Sequence, residues 1–148
     1  MRSLQLRRHA RRDPTADRLS PQGRAQAEDL GRSLAIPFDA VFVAPAERAA
    51  ETMAWILRGM GTQLPPHDVV PGLGGRDGQG PDEMAEVVRA MLERLPDGGR
   101  GLAIGHTPLI ERAVLGLIGR EIEPLAECEG VLVTDDGGRI LVDELRIG

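Results

Sequence analysis

The 148-residue chain contains no tyrosine, no lysine and no asparagine, and Cys128 is its single cysteine. One cysteine excludes an intrachain disulfide and a cysteine-based zinc site. Phe38, Phe42 and Trp55 are the whole aromatic set, so the core has to be built from aliphatic side chains. All eighteen basic residues are arginine. That uniformity fits a compositional bias of the genome, so arginine number is no argument here and position must decide. No apolar run approaches the roughly 18 residues that span a bilayer, and the N-terminal stretch lacks the pattern of a secretion signal. A soluble, cytoplasmic protein without a membrane partner is expected. The net charge of −5 sets the overall field against nucleic acid.

What is present is an alternation of short apolar runs and helical patterns. Ser3–Arg8 reads as a strand. Ser20-Pro21 opens a helix, serine serving as cap and proline fitting the first helical position. Asp39–Ala44 (DAVFVA) is a buried strand, and Pro45 opens a second helix to about Arg58. Asp68-Val69-Val70 gives a short third strand. Pro71–Pro81 holds five glycines in eleven residues and reads as a loop. Pro81–Leu95 carries Met84, Val87, Val88, Met91, Leu92 and Leu95 as one helical stripe. Gly101–Gly105 is a further strand, followed by a helix from Thr107-Pro108 to about Ile118. The closing VLVTDDGGRILVDEL reads as two strands around a tight turn. The expected fold is α/β: one three-layer domain over residues 1–148, a mainly parallel sheet with helices on both faces, and a C-terminal antiparallel strand pair.

In such sheets, ligands bind where strand carboxyl ends meet helix N-termini. Arg8-His9 follows the first strand, Arg48 lies in the first turn of the second helix, and His106-Thr107 follows the Gly101–Gly105 strand. Two histidines and two arginines thus reach one sheet edge from distant parts of the chain. Guanidinium forks and free helix N–H groups suit a phosphate, and a neutral imidazole can attack phosphorus. Flanking cations would favour that neutral state. Alternation places Arg7 opposite Arg8 and predicts a surface position for it. Arg11 and Arg12 fit either a screen at the pocket mouth or the compositional bias. His67 reads as a surface loop residue. Cys128, among acidic neighbours, is not expected to be reactive. The histidines and carboxylates show no metal-ligand spacing, so neither a metal nor a cofactor is expected.

Leu6-Arg7-Arg8-His9-Ala10, then Leu19-Ser20-Pro21-Gln22-Gly23 with Gln26-Ala27, then Ala44-Pro45-x-x-Arg48-x-x-x-Thr52, then Gly105-His106 resembles the histidine phosphatase (phosphoglycerate-mutase-like) superfamily. The short chain looks most like its SixA-type phosphohistidine phosphatase branch. The resemblance implies His9 as nucleophile, Arg8 and Arg48 as phosphate ligands, and His106 as a second histidine bonded to phosphoryl oxygens. The backbone N–H of Thr107, at the helix start, is a further candidate contact on geometric grounds. Two positions depart from the family pattern. Ala44 stands where serine is usual, and Leu73-Gly74-Gly75 lacks the glutamate that serves many members as general acid. Asp77, Asp82 and Glu83 are the candidate replacements. A missing acid matters most for poor leaving groups, so it tilts the expected substrate toward labile phosphates such as phosphohistidine. The expectation is a metal-independent phosphatase acting through a phosphohistidine on His9, with a phosphoprotein or a small phosphate as substrate. The alternatives are a small-molecule phosphomonoesterase using a displaced carboxylate, or a phosphate- or phosphoprotein-binding module without turnover.

Overall fold

A computed structural model describes residues 1–74 and 79–147. Within them, ten strands and α-helices follow one another. They are β1 (Arg2–Arg8), α1 (Pro21–Ser33), β2 (Ala40–Val43), α2 (Glu47–Met60), β3 (His67–Val69), α3 (Pro81–Glu93), β4 (Arg100–Gly105), α4 (Leu109–Ile118), β5 (Gly130–Asp136) and β6 (Arg139–Leu145). The strands form one six-stranded sheet in the order β3-β2-β4-β1-β5-β6. The first four in that order run parallel, while β5 is antiparallel to both β1 and β6.

Central strands β1 and β4 are buried on both faces, with Leu4, Leu6, Leu102 and Ile104 fully enclosed. Their apolar runs therefore need helices above and below. β1 leads leftward through α1 to β2 and on through α2 to β3, whereas β3 returns rightward through α3 to β4. Right-handed crossovers then put α1 and α2 on one face and α3 on the other. The helices pack in those same pairs, α1 with α2 and α3 with α4.

Local sequence explains the helix ends. Ser20 accepts a hydrogen bond from the Gly23 N–H at 3.1 Å, which caps α1 just before Pro21. Gly61 and Gly119 end α2 and α4 in the left-handed conformation. The sharp β5–β6 reversal rests on Gly137 and Gly138, both at positive φ.

Several expectations shift by a few residues. α2 starts at Glu47, not at Pro45, because Ala46 still has extended backbone. α4 starts at Leu109, behind a cis Thr107-Pro108 bond. The third strand is His67–Val69, so His67 heads a strand, although it stays exposed as expected. A short 3-10 turn, Pro71–Leu73, begins the glycine-rich loop.

Arg7 is a larger correction. It is buried, not on the surface: its Nε and Nη2 donate to Gln5 Oε1 and its Nη1 to the Cys128 carbonyl at 2.9 Å. Alternation says only that Arg7 faces away from Arg8; the segment before β5, which supplies the Cys128 carbonyl, encloses it there.

The α1–α2 contact depends on absent side chains. A Cβ on Gly31 would lie 2.1 Å from the Ile56 carbonyl oxygen, and one on Gly59 would lie 2.0 Å from that of Glu28. Both obstacles are backbone, so neither can turn aside. Gly59→Ala is expected to destabilise the fold by about 1–3 kcal/mol, since overpacking outweighs the gain in helix propensity. Chemical denaturation checks this; a neutral or stabilising result would show that the helices do not need the close approach.

Candidate active site

The parallel pairing of β1 with β4 sets Arg8 beside Gly105, and β2 pairs with β4 so that Val43 lies beside Ile104. The residues that follow these three strand ends therefore emerge side by side. β1 continues toward α1 on one face of the sheet and β4 toward α4, the partner of α3, on the other. The strand ends open a crevice between them, as expected at a topological switch point. The cleft there measures about 620 Å³ and is lined by Arg8, His9, Arg48, His106 and Thr107, among others. The nucleophile and phosphate-binding residues expected from the sequence all meet in this one place.

His9 is buried, and its Nδ1 lies 2.7 Å from the Ala10 carbonyl oxygen. A carbonyl only accepts, so Nδ1 carries the proton and the neutral ring keeps its lone pair on Nε2. His106 is set the other way. Arg48 Nη2 is 3.5 Å from His106 Nδ1 and can only donate, which leaves the His106 proton on Nε2. The two rings meet edge to face, with centroids 5.4 Å apart. One ring thus offers an acceptor nitrogen and the other a donor.

Both imidazoles are held neutral. Burial is the largest cause for each. For His9, Arg48, Arg8 and Arg12 add to it against an opposing bond to Ala10. For His106, Arg48, His9 and Arg12 add to it against Asp17, and its pKa falls to about 4. The flanking guanidiniums act as the sequence suggested, but loss of solvent around the rings contributes more.

Arg48 sits in the first turn of α2, held from outside the helix. Asp17 Oδ1 accepts from Arg48 Nη1 at 2.8 Å and from its backbone N–H at 3.2 Å, while Oδ2 accepts from the Glu47 N–H at 3.0 Å. Ala46, the residue at the cap, offers no side-chain bond. Asp17 thus caps α2 from 30 residues earlier in the chain and aims Arg48 at the same time. Fully buried Thr52 links the same helix to the nucleophile loop: its hydroxyl donates to the Arg48 carbonyl at 2.7 Å and accepts from the Ala10 N–H at 3.0 Å. Arg8 Nη1 donates to the Leu125 carbonyl at 2.8 Å. The buried Nε atoms of Arg8 and Arg48 have no hydrogen-bond partner among the described residues. Both arginines line the cleft, and guanidinium forks there fit an anionic ligand.

The candidate acids are not brought together here. Asp82 and Glu83 lie exposed in the first turn of α3 and do not line the cleft. Asp77 lies outside the described residues. The one carboxylate lining the described part of the cleft is Glu127, from the segment before β5. Sequence reasoning passed over both Glu127 and Asp17, since neither stands in a recognisable local motif. Cys128 is buried, and desolvation raises its pKa to about 11, as suits an inert thiol. Among the described residues, no group of three or more His, Cys, Asp or Glu is placed to hold a metal ion. Nor is any helix among them long and apolar enough to cross a membrane.

Residues 4–96 match the family model of the histidine phosphatase superfamily (branch 1), and the chain belongs to that superfamily. Solved structures of similar fold include a phosphoserine phosphatase from Entamoeba histolytica in complex with 3-phosphoglyceric acid. It is 16% identical, with a TM-score of 0.79 over 100% of this chain and 98% of that one. The protein histidine phosphatase SixA, complexed with tungstate, is 23% identical, with a TM-score of 0.75 over 97% and 96% of the two chains. A mycobacterial glucosyl-3-phosphoglycerate phosphatase is 14% identical, with a TM-score of 0.76 over 99% of each. No curated protein sequence matches the chain.

The titration of the two rings is a direct check on the site. Both pKa values lie below the ordinary 6.5, so the unfolded chain takes up protons that the folded chain does not. Their contribution to stability is complete above pH 6.5 and is lost as pH falls toward the folded values. NMR titration should place His106 near 4 and His9 below 6.5. A midpoint at or above 6.5 for either ring would contradict this account of the cleft.

Proposed function

We propose that the protein is a metal-independent phosphatase that works through a phosphohistidine on His9. The observation that carries this reading is the meeting of His9 and His106, ring centroids 5.4 Å apart, with Arg8 and Arg48 in one cleft; from the Nδ1 contacts of the two rings we infer an acceptor Nε2 on His9 and a donor Nε2 on His106. Arg8, Arg48 and His106 hold the phosphoryl oxygens; the Thr107 N–H, expected to join them from a helix start, lies instead in the turn before α4. His9 Nε2 attacks phosphorus in line with the leaving atom, whose bond to phosphorus breaks as the N–P bond forms. Charge spread over the equatorial oxygens is stabilised by donors already in position. A water molecule then attacks the phosphohistidine, the N–P bond breaks, and inorganic phosphate leaves with His9 neutral again.

The leaving group decides the substrate class. Glu127 is the one carboxylate on the described cleft wall, and neither Asp82 nor Glu83 reaches it. We read Glu127 as a wall residue and not as the acid for the leaving group, and the family's acid position at Leu73-Gly74-Gly75 carries no carboxylate. Without an acid there, an alkoxide leaves slowly, whereas the nitrogen of a phosphoramidate leaves readily once protonated by solvent. Positioned acid catalysis contributes about 10²–10⁴-fold, so its absence penalises alkyl esters most. The reading is therefore a phosphatase for phosphohistidine or another labile phosphate.

Steady-state rates with phosphoramidate and with an alkyl phosphate test it. The account predicts at least about tenfold higher kcat/KM for phosphoramidate, with both activities abolished in His9→Ala. Equal or faster alkyl ester hydrolysis would mean that an acid acts in the cleft, Glu127 and Asp77 being the first to replace by amides. Phosphate binding without turnover would identify a binding module.

A further inference from the structure

The two edges of the sheet are finished differently. β3 presents only three residues, His67–Val69, between Pro65-Pro66 and Pro71, and so short an edge flanked by prolines offers little to pair with. β6 forms the other edge with seven residues, Arg139–Leu145, free of proline and in unbroken register with β5. We propose that β6 pairs antiparallel with β6 of a second copy of this chain, about a two-fold axis at Leu141, joining the two sheets into one.

Backbone geometry fixes which groups are free to do this. The β5–β6 turn is Gly137-Gly138, so Asp136 and Arg139 flank a two-residue loop and form a hydrogen-bonded pair. Alternation along β6 then turns the N–H and C=O of Arg139, Leu141, Asp143 and Leu145 toward β5. The far side of β5 agrees: the Arg8 N–H donates to the Glu129 carbonyl, which assigns odd-numbered residues of that strand to β1 and even-numbered ones to β6. The N–H and C=O of Ile140, Val142 and Glu144 therefore point out of the sheet edge. They have no backbone partner among the described residues.

Antiparallel strands pair outward residues with outward residues. An axis at Leu141 satisfies this, since Ile140 then exchanges both backbone bonds with Val142 of the second copy, and Val142 with its Ile140. Leu141 meets its own symmetry mate in a non-hydrogen-bonded pair, where side chains lie closest.

The side chains select that register and that partner. Around Leu141 the strand reads Arg-Ile-Leu-Val-Asp, positive at one end, apolar in the middle and negative at the other. The two-fold sets Arg139 against Asp143 of the second copy, and Asp143 against its Arg139. Both side chains are exposed, and neither forms an ion pair among the described residues. Moving the axis to Ile140 or Val142 would instead set a charge against Leu141, and moving it to Asp143 would set that carboxylate against itself. Leu141, 41% exposed, is covered only by the pairing. On the opposite face Ile140 and Val142 pack against the core, so a second copy continues an apolar surface that now stops at the edge. Because β6 runs parallel to β1, the two clefts lie at opposite ends of the joined sheet.

Sedimentation velocity from about 1 to 500 µM tests the pairing. A seven-residue edge is smaller than a standard interface, so dimers should dominate only above roughly 10–100 µM. Arg139→Asp and Asp143→Arg should each weaken the dimer at least about fivefold, whereas the two together should restore it to within about threefold. Oxidation of Leu141→Cys should give a covalent dimer, since a non-hydrogen-bonded pair brings its Cα atoms within disulfide reach. Ile36→Cys, also exposed but in the connection between α1 and β2, is the control and should stay monomeric. Every altered side chain is exposed, so these variants report on pairing and not on folding.

A protein that stays monomeric over the whole range would overturn the proposal. So would a dimer indifferent to the single charge reversals, a double reversal that fails to rescue, or equal crosslinking of the two cysteine variants. Association continuing past the dimer would contradict it as well, because a two-fold pairing closes on itself.

Discussion

The parallel pairing of β1 with β4 is the constraint on which the rest of the site depends. Nearly a hundred residues separate His9 from His106, and only this register, with Arg8 beside Gly105, sets their rings 5.4 Å apart. The aliphatic core enforces the register, because slipping either strand by one residue would turn Leu4, Leu6, Leu102 and Ile104 out of their packing. The helices leaving these two strands then diverge to opposite faces. What remains between them is a crevice whose walls are rigid strand ends and whose contents are imidazole and guanidinium.

Electrostatics complete what topology begins. Cations gathered at a strand edge repel one another, and the fold tolerates them through directed neutral bonds and a single carboxylate bridge. Arg8 is held by the Leu125 carbonyl, and Arg48 by Asp17, which also caps α2. Burial and these cations together keep both imidazoles unprotonated. The Ala10 carbonyl and Arg48 then choose which nitrogen of each ring carries its proton. Charge state and tautomer thus follow from packing rather than from any one residue.

Much of this was legible in the sequence, and the gaps have physical reasons. Ser20-Pro21, the DAVFVA run and the GLAIG run mark element starts and buried strands by local chemistry alone. His9, Arg48 and His106 were legible because each directly follows a strand or opens a helix. Arg7 was misplaced because period-two alternation names a face without saying what covers it. Asp17 was missed because its partners lie 30 and 31 residues away, and no local signal marks a cap supplied from a distance. Glu127 escaped notice because it reaches the cleft through the long segment between α4 and β5, which has no periodic pattern to follow. The start of α4 was set too early because a proline suits a helix start, whereas Thr107-Pro108 still belongs to the turn.

The central claim is that neutral His9 attacks phosphorus through Nε2. The most direct test is to mix the protein with phosphoramidate, quench in alkali, and locate the phosphoryl group by mass spectrometry and phosphorus NMR. The account predicts one adduct, on His9, with phosphorus bonded to Nε2 and the adduct absent in His9→Ala. A phosphoryl group on His9 Nδ1, on another residue, or on none while phosphate is still released would contradict it.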